Sequence, residues 1–282
     1  FYIGAGINLH GATIDQSDAA EMIYSDDASS ESFYKQYTPY SEAASGFSAT
    51  LGVIGKINNV VRLGASVETP TWWKIDRAYN YYDKDDSNND GEYSEIRNFQ
   101  SPLKATVSAA FVPSKNLAVN VDYTIGFTKP KYTGDDANLN SEFSDFYSEN
   151  AKTTSEIRAG LEYRIQQFRI RGGYAFSTAP FDNIALSTLA SNGSSSNVSY
   201  NNLFAGKRNT LGVGLGYDFR SFYIDAAYNN IRNDYSSPFL RGSEQANSDY
   251  YSTNAFFSNA NPVVSSVKNT QNNVSVTLGW KF

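Results

Sequence analysis

The chain has 282 residues, a net charge of −6, a sequence pI near 4.9, one His and no Cys. The acidic balance excludes nucleic acid as a partner, because phosphates call for a basic surface, and the lack of Cys excludes a disulfide framework and thiol chemistry. A mean hydropathy of −0.46 and the absence of a long apolar run exclude a helical membrane protein, but not a barrel, whose strands need only about ten residues with every second one polar.

In chain order, residues 1–14 read as a first strand, with Tyr2, Gly4, Gly6, Asn8 and His10 on one face. Four hairpins of one design follow: 44–57 with 60–75 around Asn58-Asn59, 101–113 with 117–129 around Ser114-Lys115-Asn116, 154–165 with 168–177 around Gln166-Gln167, and 206–219 with 222–236 around Arg220-Ser221. A last strand covers 267–282, which makes ten. The third hairpin alternates most strictly. Ile157, Ala159, Leu161, Tyr163 and Ile165 oppose Glu156, Arg158, Gly160, Glu162 and Arg164, and Phe168, Ile170, Gly172, Tyr174 and Phe176 oppose Arg169, Arg171, Gly173, Ala175 and Ser177.

Between hairpins the segments 15–43, 76–100, 130–150, 178–205 and 237–266 read as long polar connections. Short turns at one end and long loops at the other are the asymmetry of outer-membrane barrels, with the short turns periplasmic. A soluble β-sandwich also alternates, but its strands average five or six residues, whereas these persist for twelve or more. The fold class is therefore all-β, a transmembrane antiparallel up-and-down barrel over 1–282 as a single domain. The 21 Tyr, 18 Phe and 3 Trp fit two aromatic girdles at the membrane surfaces. Val276, Leu278, Trp280 and Phe282 then face lipid, and a final strand closed by Phe resembles the signal that barrel-assembly machinery reads.

Four segments carry a family resemblance: GVIGKINNVVRLGASVETPTWWKI at 52–75, SPLKATVSAAFVPSKNLAVNVDYTIGFTKPKY at 101–132, KTTSEIRAGLEYRIQQFRIRGGYAF at 152–176 and GKRNTLGVGLGYDFRSFYIDAAY at 206–228. With the ending GWKF, they resemble the FadL/TodX outer-membrane transporters, in the Bacteroidetes branch of "hemin receptor" type. The resemblance implies a fourteen-stranded barrel plugged by an N-terminal hatch, with passive uptake of hydrophobic compounds such as long-chain fatty acids or aromatic molecules and no enzymatic activity. It implies as partners outer-membrane lipid, a hydrophobic small molecule and the barrel-assembly machinery. The chain departs from the pattern in reading as ten strands and in lacking the hatch's Asn-Pro-Ala motif, since Asn261-Pro262 falls in a late connection. These features are expected of the C-terminal ten strands of such a barrel; a closed ten-strand barrel is the alternative. A barrel subunit of a larger secretion or assembly complex is the alternative function, and other outer-membrane proteins would then be partners.

Each candidate for chemistry has a plainer reading beside it. The lumen-lining charges Glu156, Arg158, Glu162, Arg164, Arg169 and Arg171 could guide a solute, but cross-strand pairing that stiffens the wall is the favoured account. Trp72, Trp73, Phe256 and Phe257 are candidates for capturing a hydrophobic ligand, although a girdle accounts for the tryptophans equally well. Asp86, Asn88 and Asp90 occupy the first, third and fifth positions of a calcium loop, but Arg97 stands where the closing Glu belongs. A solvated acidic loop is the favoured reading there, with calcium as the cofactor the other would need. His10 lacks the neighbours of an outer-membrane protease or phospholipase, with Asn8 and Ala12 at the telling offsets. Gly212, Gly214 and Gly216 lie within a strand and suggest close packing or lumen space, not a phosphate loop.

Overall fold

The computed structural model describes residues 1–16, 20–22, 33–35, 40–81, 91–135, 137–189, 195–240, 256–257 and 263–280. In chain order the elements are β1 (Tyr2–Gln16), β2 (Ala20–Met22), β3 (Phe33–Lys35), β4 (Tyr40–Lys56), β5 (Val61–Glu68), β6 (Trp72–Tyr81), β7 (Gly91–Gln100), β8 (Lys104–Ser114), β9 (Leu117–Gly126) and β10 (Lys131–Gly134). The helix α1 (Ala137–Asn150) follows, then β11 (Ser155–Ile165), β12 (Phe168–Ser177), β13 (Ile184–Leu189), β14 (Ser195–Tyr200), β15 (Arg208–Asp218), β16 (Phe222–Leu240), β17 (Phe256–Phe257) and β18 (Val263–Trp280).

One antiparallel sheet holds thirteen of these segments. Both β5 and β6 pair with β4; β7 then pairs with β6 and β8 with β5, and likewise β10 pairs with β7 and β9 with β8. Three pairs of segments therefore continue one another, leaving the ten wall strands expected from alternation. The short turns form as their residues dictate: the Asn58 side chain accepts the amides of Val60 and Val61, and Gln166 supplies the left-handed residue between β11 and β12. Asn116, in the next turn along, donates its amide to the Arg164 carbonyl and ties two hairpins together.

Each wall strand has two faces, as a period of two requires. Leu51, Val67, Val107, Tyr123, Ile157, Tyr174, Leu215, Val276 and their neighbours in register form a continuous exposed apolar face. The wall has no apolar interior of its own. Among the described residues the buried apolar side chains are Ala151, Ala179, Ile184 and Leu203, all at the long-connection end. A water-soluble sheet would bury its apolar face against a second layer; this one exposes it, as a lipid-facing wall does. No described helix is long and apolar enough to cross a membrane.

The long connections are not the plain loops that their polar composition suggests. Segment 76–100 is mostly strand, continuing β6 and forming β7, while 130–150 holds β10 and α1, and 178–205 holds the β13–β14 hairpin. Polar, period-two sequence beyond the membrane is strand that has lost its apolar face, so hydrophobicity alone hides it. Ile184 and Leu203 form a small core there with Phe146, Phe181, Tyr200 and Val264.

The strand interruptions share one construction. Thr69-Pro70-Thr71 separates β5 from β6, Ser101-Pro102-Leu103 separates β7 from β8, and Phe127 to Pro130 separates β9 from β10. Proline has no N–H for the ladder and breaks the pairing. The amides stranded by each break are taken up by hydroxyls: Ala49 N–H by Thr69 Oγ1 at 2.9 Å, Thr71 N–H by Ser101 Oγ at 2.8 Å, and Leu103 N–H by Thr128 Oγ1 at 2.9 Å. At the top of β11, Ser155 N–H is likewise received by Thr178 Oγ1 at 3.0 Å, two residues before Pro180.

Candidate functional site

On the inner face of β11, β12, β15 and β16 the predicted charges meet in two groups. In the first, Glu156 binds Arg158 on its own strand and Arg208 Nη2 at 2.8 Å. In the second, Glu162 binds Arg164 at 3.2 Å and Arg171 at 2.7 Å, and Asp225 binds Arg171 at 3.1 Å and Arg169 at 3.3 Å. Glu162 and Arg171 are direct cross-strand partners, but Arg169 and Asp225 stand two strands apart. They meet across Gly216, where a Cβ would collide with the Asp225 carboxylate. Gly212 and Gly160 serve alike, with the Asn229 and Asn120 amides lying 2.7 and 2.5 Å from where a Cβ would sit. All six predicted lumen charges are thus brought to one face, each in an ion pair. Arg208 and Asp225 complete the set.

Trp72 and Trp73 are adjacent in sequence and point to opposite sides of the wall. Trp72 lies on the exposed face beside Phe47, with ring centroids 5.0 Å apart. Trp73 faces inward, its ring laid on Gly46 within 2.9 Å of an added Cβ and 5.4 Å from the His10 ring. His10 Nε2 lies 3.1 Å from the hydroxyl of Ser48, which is fully buried, and Asn8 donates to the same oxygen at 3.3 Å. A buried serine whose asparagine bonds the hydroxyl and not the imidazole lacks the relay that nucleophilic catalysis requires.

Behind this inner cluster, on the lipid-facing side, the wall carries an apolar concavity of ≈ 650 Å³. Ala5, Ile7, Ala49, Leu51, Val67 and Thr69 line it. Small Ala5 and Ala49 stand where neighbouring positions carry larger side chains, and Thr69 belongs to the Pro70 interruption.

Above the wall, α1 lays Phe143, Phe146 and Tyr147 on β10 and its surroundings. Tyr132 stacks on Tyr147 at 5.7 Å and meets Phe143 edge-on at 4.7 Å, while Phe181 packs against Phe146 at 5.6 Å. The Arg97 guanidinium lies 5.0 Å from the Phe143 ring and binds Glu95. Burial pushes the Tyr147 phenol above its ordinary range, reinforced by Tyr132. This aromatic group is absent from the sequence reading, although Phe143, Phe146 and Tyr147 have the i, i+3, i+4 spacing of a helix face. Phe256-Phe257 forms β17, paired in parallel with β13. Asp86, Asn88 and Asp90 lie outside the described residues, and among the described residues no cluster of metal-ligating side chains occurs.

A wall of long antiparallel strands, apolar outside and charged inside, is the wall of a transmembrane β-barrel. No family model matches the sequence, and no curated protein matches it. Among solved structures it is similar to the Ralstonia pickettii toluene transporter TbuX, with a TM-score of 0.52 and 13% identity over 99% of this chain and 63% of that one. It is also similar to the CymD monoaromatic hydrocarbon channel, with a TM-score of 0.48 and 11% identity over 82% of this chain and 64% of that one. The chain thus spans just under two thirds of the length of these structures. At such identities the likeness is one of fold: the wall is built as in TbuX.

Proposed function

We propose that the chain forms the wall of an outer-membrane channel for passive uptake of small hydrophobic compounds, aromatic hydrocarbons or long-chain fatty acids among them. The observation that carries this reading is the apolar concavity at the Pro70 interruption, set in a lipid-facing wall whose fold is that of a toluene transporter. A hydrophobic solute is poorly served by an inner face of ion pairs, and an open apolar concavity beside a break in the ladder offers it a favourable site in contact with the bilayer. Pore-like passage of hydrophilic solutes would not need such a cleft.

Uptake of radiolabelled toluene and of oleate by cells expressing the full chain tests the reading, against cells carrying Ala49→Trp, a bulky side chain in the lining of the concavity. Accumulation is expected to rise above that of cells without the protein and to fall back in the variant, whose folding is followed by heat-modifiable gel migration. Equal accumulation with and without the protein would sink the proposal, and retention of large partner proteins through purification would favour an accessory subunit.

A further inference from the structure

On the outer face, the apolar band ends at β15, β16 and β18 in a row of amides. The Tyr174 hydroxyl donates to Asn209 Oδ1 at 2.7 Å, and the Tyr228 hydroxyl and the Asn230 amide both donate to Asn272 Oδ1 at 2.7 Å. Tyrosine with its ring on the band and its hydroxyl turned to a polar partner marks the edge of the hydrocarbon region. Farther along the same face stand Arg232 and Lys268, and Lys207 lies just before β15, next to the inward Arg208 that binds Glu156. All three are exposed. Among the described residues one carboxylate, Asp234, lies with them, bound to Arg232 Nε at 2.9–3.0 Å and opposite Lys268 in register.

We infer that this patch binds the phosphorylated saccharide headgroup of an outer-leaflet glycolipid. The charge balance among the described residues favours an anion: Arg232 and Lys268 share Asp234 and Lys207 is exposed beside them, on a chain whose overall charge is −6. Other described cations at this end are differently placed: Lys129 donates to the Ser148 carbonyl at 2.7 Å, Lys152 lies 3.3 Å from Asp182, and Lys131 stands level with Gln100 and Trp72. Outward positions at similar height are Ser41, Ala43 and Ser45 on β4, and Lys74 on β6 is matched by Asp76 at 3.1 Å. Height selects the headgroup. Arg232 lies four residues beyond Tyr228 and Lys268 six beyond Val274, which places them roughly 10–15 Å above the band once strand tilt is allowed for. A phospholipid headgroup layer is only about 5–8 Å deep on each side, so a phospholipid phosphate stays below these cations. A glycosylated headgroup reaches them, with its sugars on the Asn209, Asn230 and Asn272 amides and its phosphates on the cations. Its acyl chains lie on the apolar band directly beneath.

The inference rests on the outer-membrane placement proposed above, with the long connections outward. The test is binding of detergent-dispersed rough lipopolysaccharide to the folded full chain, compared with the same lipopolysaccharide after enzymatic dephosphorylation. Lys207→Gln, Arg232→Gln and Lys268→Gln together are expected to weaken binding roughly tenfold, the size that three exposed charges near a membrane surface support. Dephosphorylated material should bind the wild type no better than the intact form binds the variant, and Lys74→Gln should leave affinity unchanged. Should the triple variant fail to fold, Lys268→Gln alone serves, with a loss of about threefold expected. Equal affinity for the two lipopolysaccharide forms, or an equal loss in Lys74→Gln, overturns the proposal. Insertion of the wild type into phosphatidylethanolamine vesicles is read separately, and failure there would count against the barrel reading and not against this patch.

Discussion

Asp225 on β16 reaches Arg169 on β12 across Gly216, the residue of β15 that stands between them. The glycine is therefore part of the ion pair although it carries no charge. Gly216→Ala should push the carboxylate aside and cost about 1–2 kcal/mol through overpacking and a weakened pair. Gly172→Ala is the control, because an added Cβ there meets nothing within 4 Å. Denaturant titration of the heat-modifiable folded band separates the two; equal stability would mean that the bridge contributes nothing.

The opposed directions of Trp72 and Trp73 can be read with light. In single-tryptophan variants reconstituted with brominated phospholipid, fluorescence from Trp72 and Trp280, both on the exposed face, should be quenched. Fluorescence from Trp73, inward against His10, should persist. Quenching of all three alike would refute the assignment of faces.

Hydroxyl capture at the proline interruptions predicts a small, specific loss. Thr69→Val leaves the Ala49 amide without its acceptor beside a buried Pro70, and Thr178→Val does the same to Ser155. Each should destabilise the fold by about 1 kcal/mol, whereas serine at either position should restore the wild-type value. Thermal melting of the refolded protein checks both, and an unchanged melt for valine would remove the role given to the hydroxyl.

Phe146 holds α1 to the region above the wall through Phe181 and Phe204. Phe146→Ala should loosen that unit by roughly 2–3 kcal/mol while the barrel strands keep their protection. Hydrogen exchange resolved by peptide is the measurement. Faster exchange across β11 and β12 as well would show that the unit and the wall are a single cooperative body.

The strands, their two faces and the short turns were legible because each depends on residues close in sequence. Alternation at 154–177 assigns every side chain to a face without reference to any partner. The helix at 137–150 was hidden by its polar composition, and the interruption at Pro70 by an alternation that reads as one strand over 60–75. Yet Thr69-Pro70, Ser101-Pro102, Thr128-Lys129-Pro130 and Thr178-Ala179-Pro180 repeat one pattern, a hydroxyl one or two residues before a proline, that could have marked such breaks.

By itself, then, the sequence determined a ten-strand wall with apolar and charged faces, since the pleat turns a period of two into sidedness. Register was left to the tertiary structure, because the offset between strands follows from the whole ladder and not from any local run. That offset brings Asp225 to Arg169 over a glycine, sets Lys268 opposite Asp234 beside Arg232 on the outer face, and aligns the Pro70 break with Ala5 and Ala49 at the concavity.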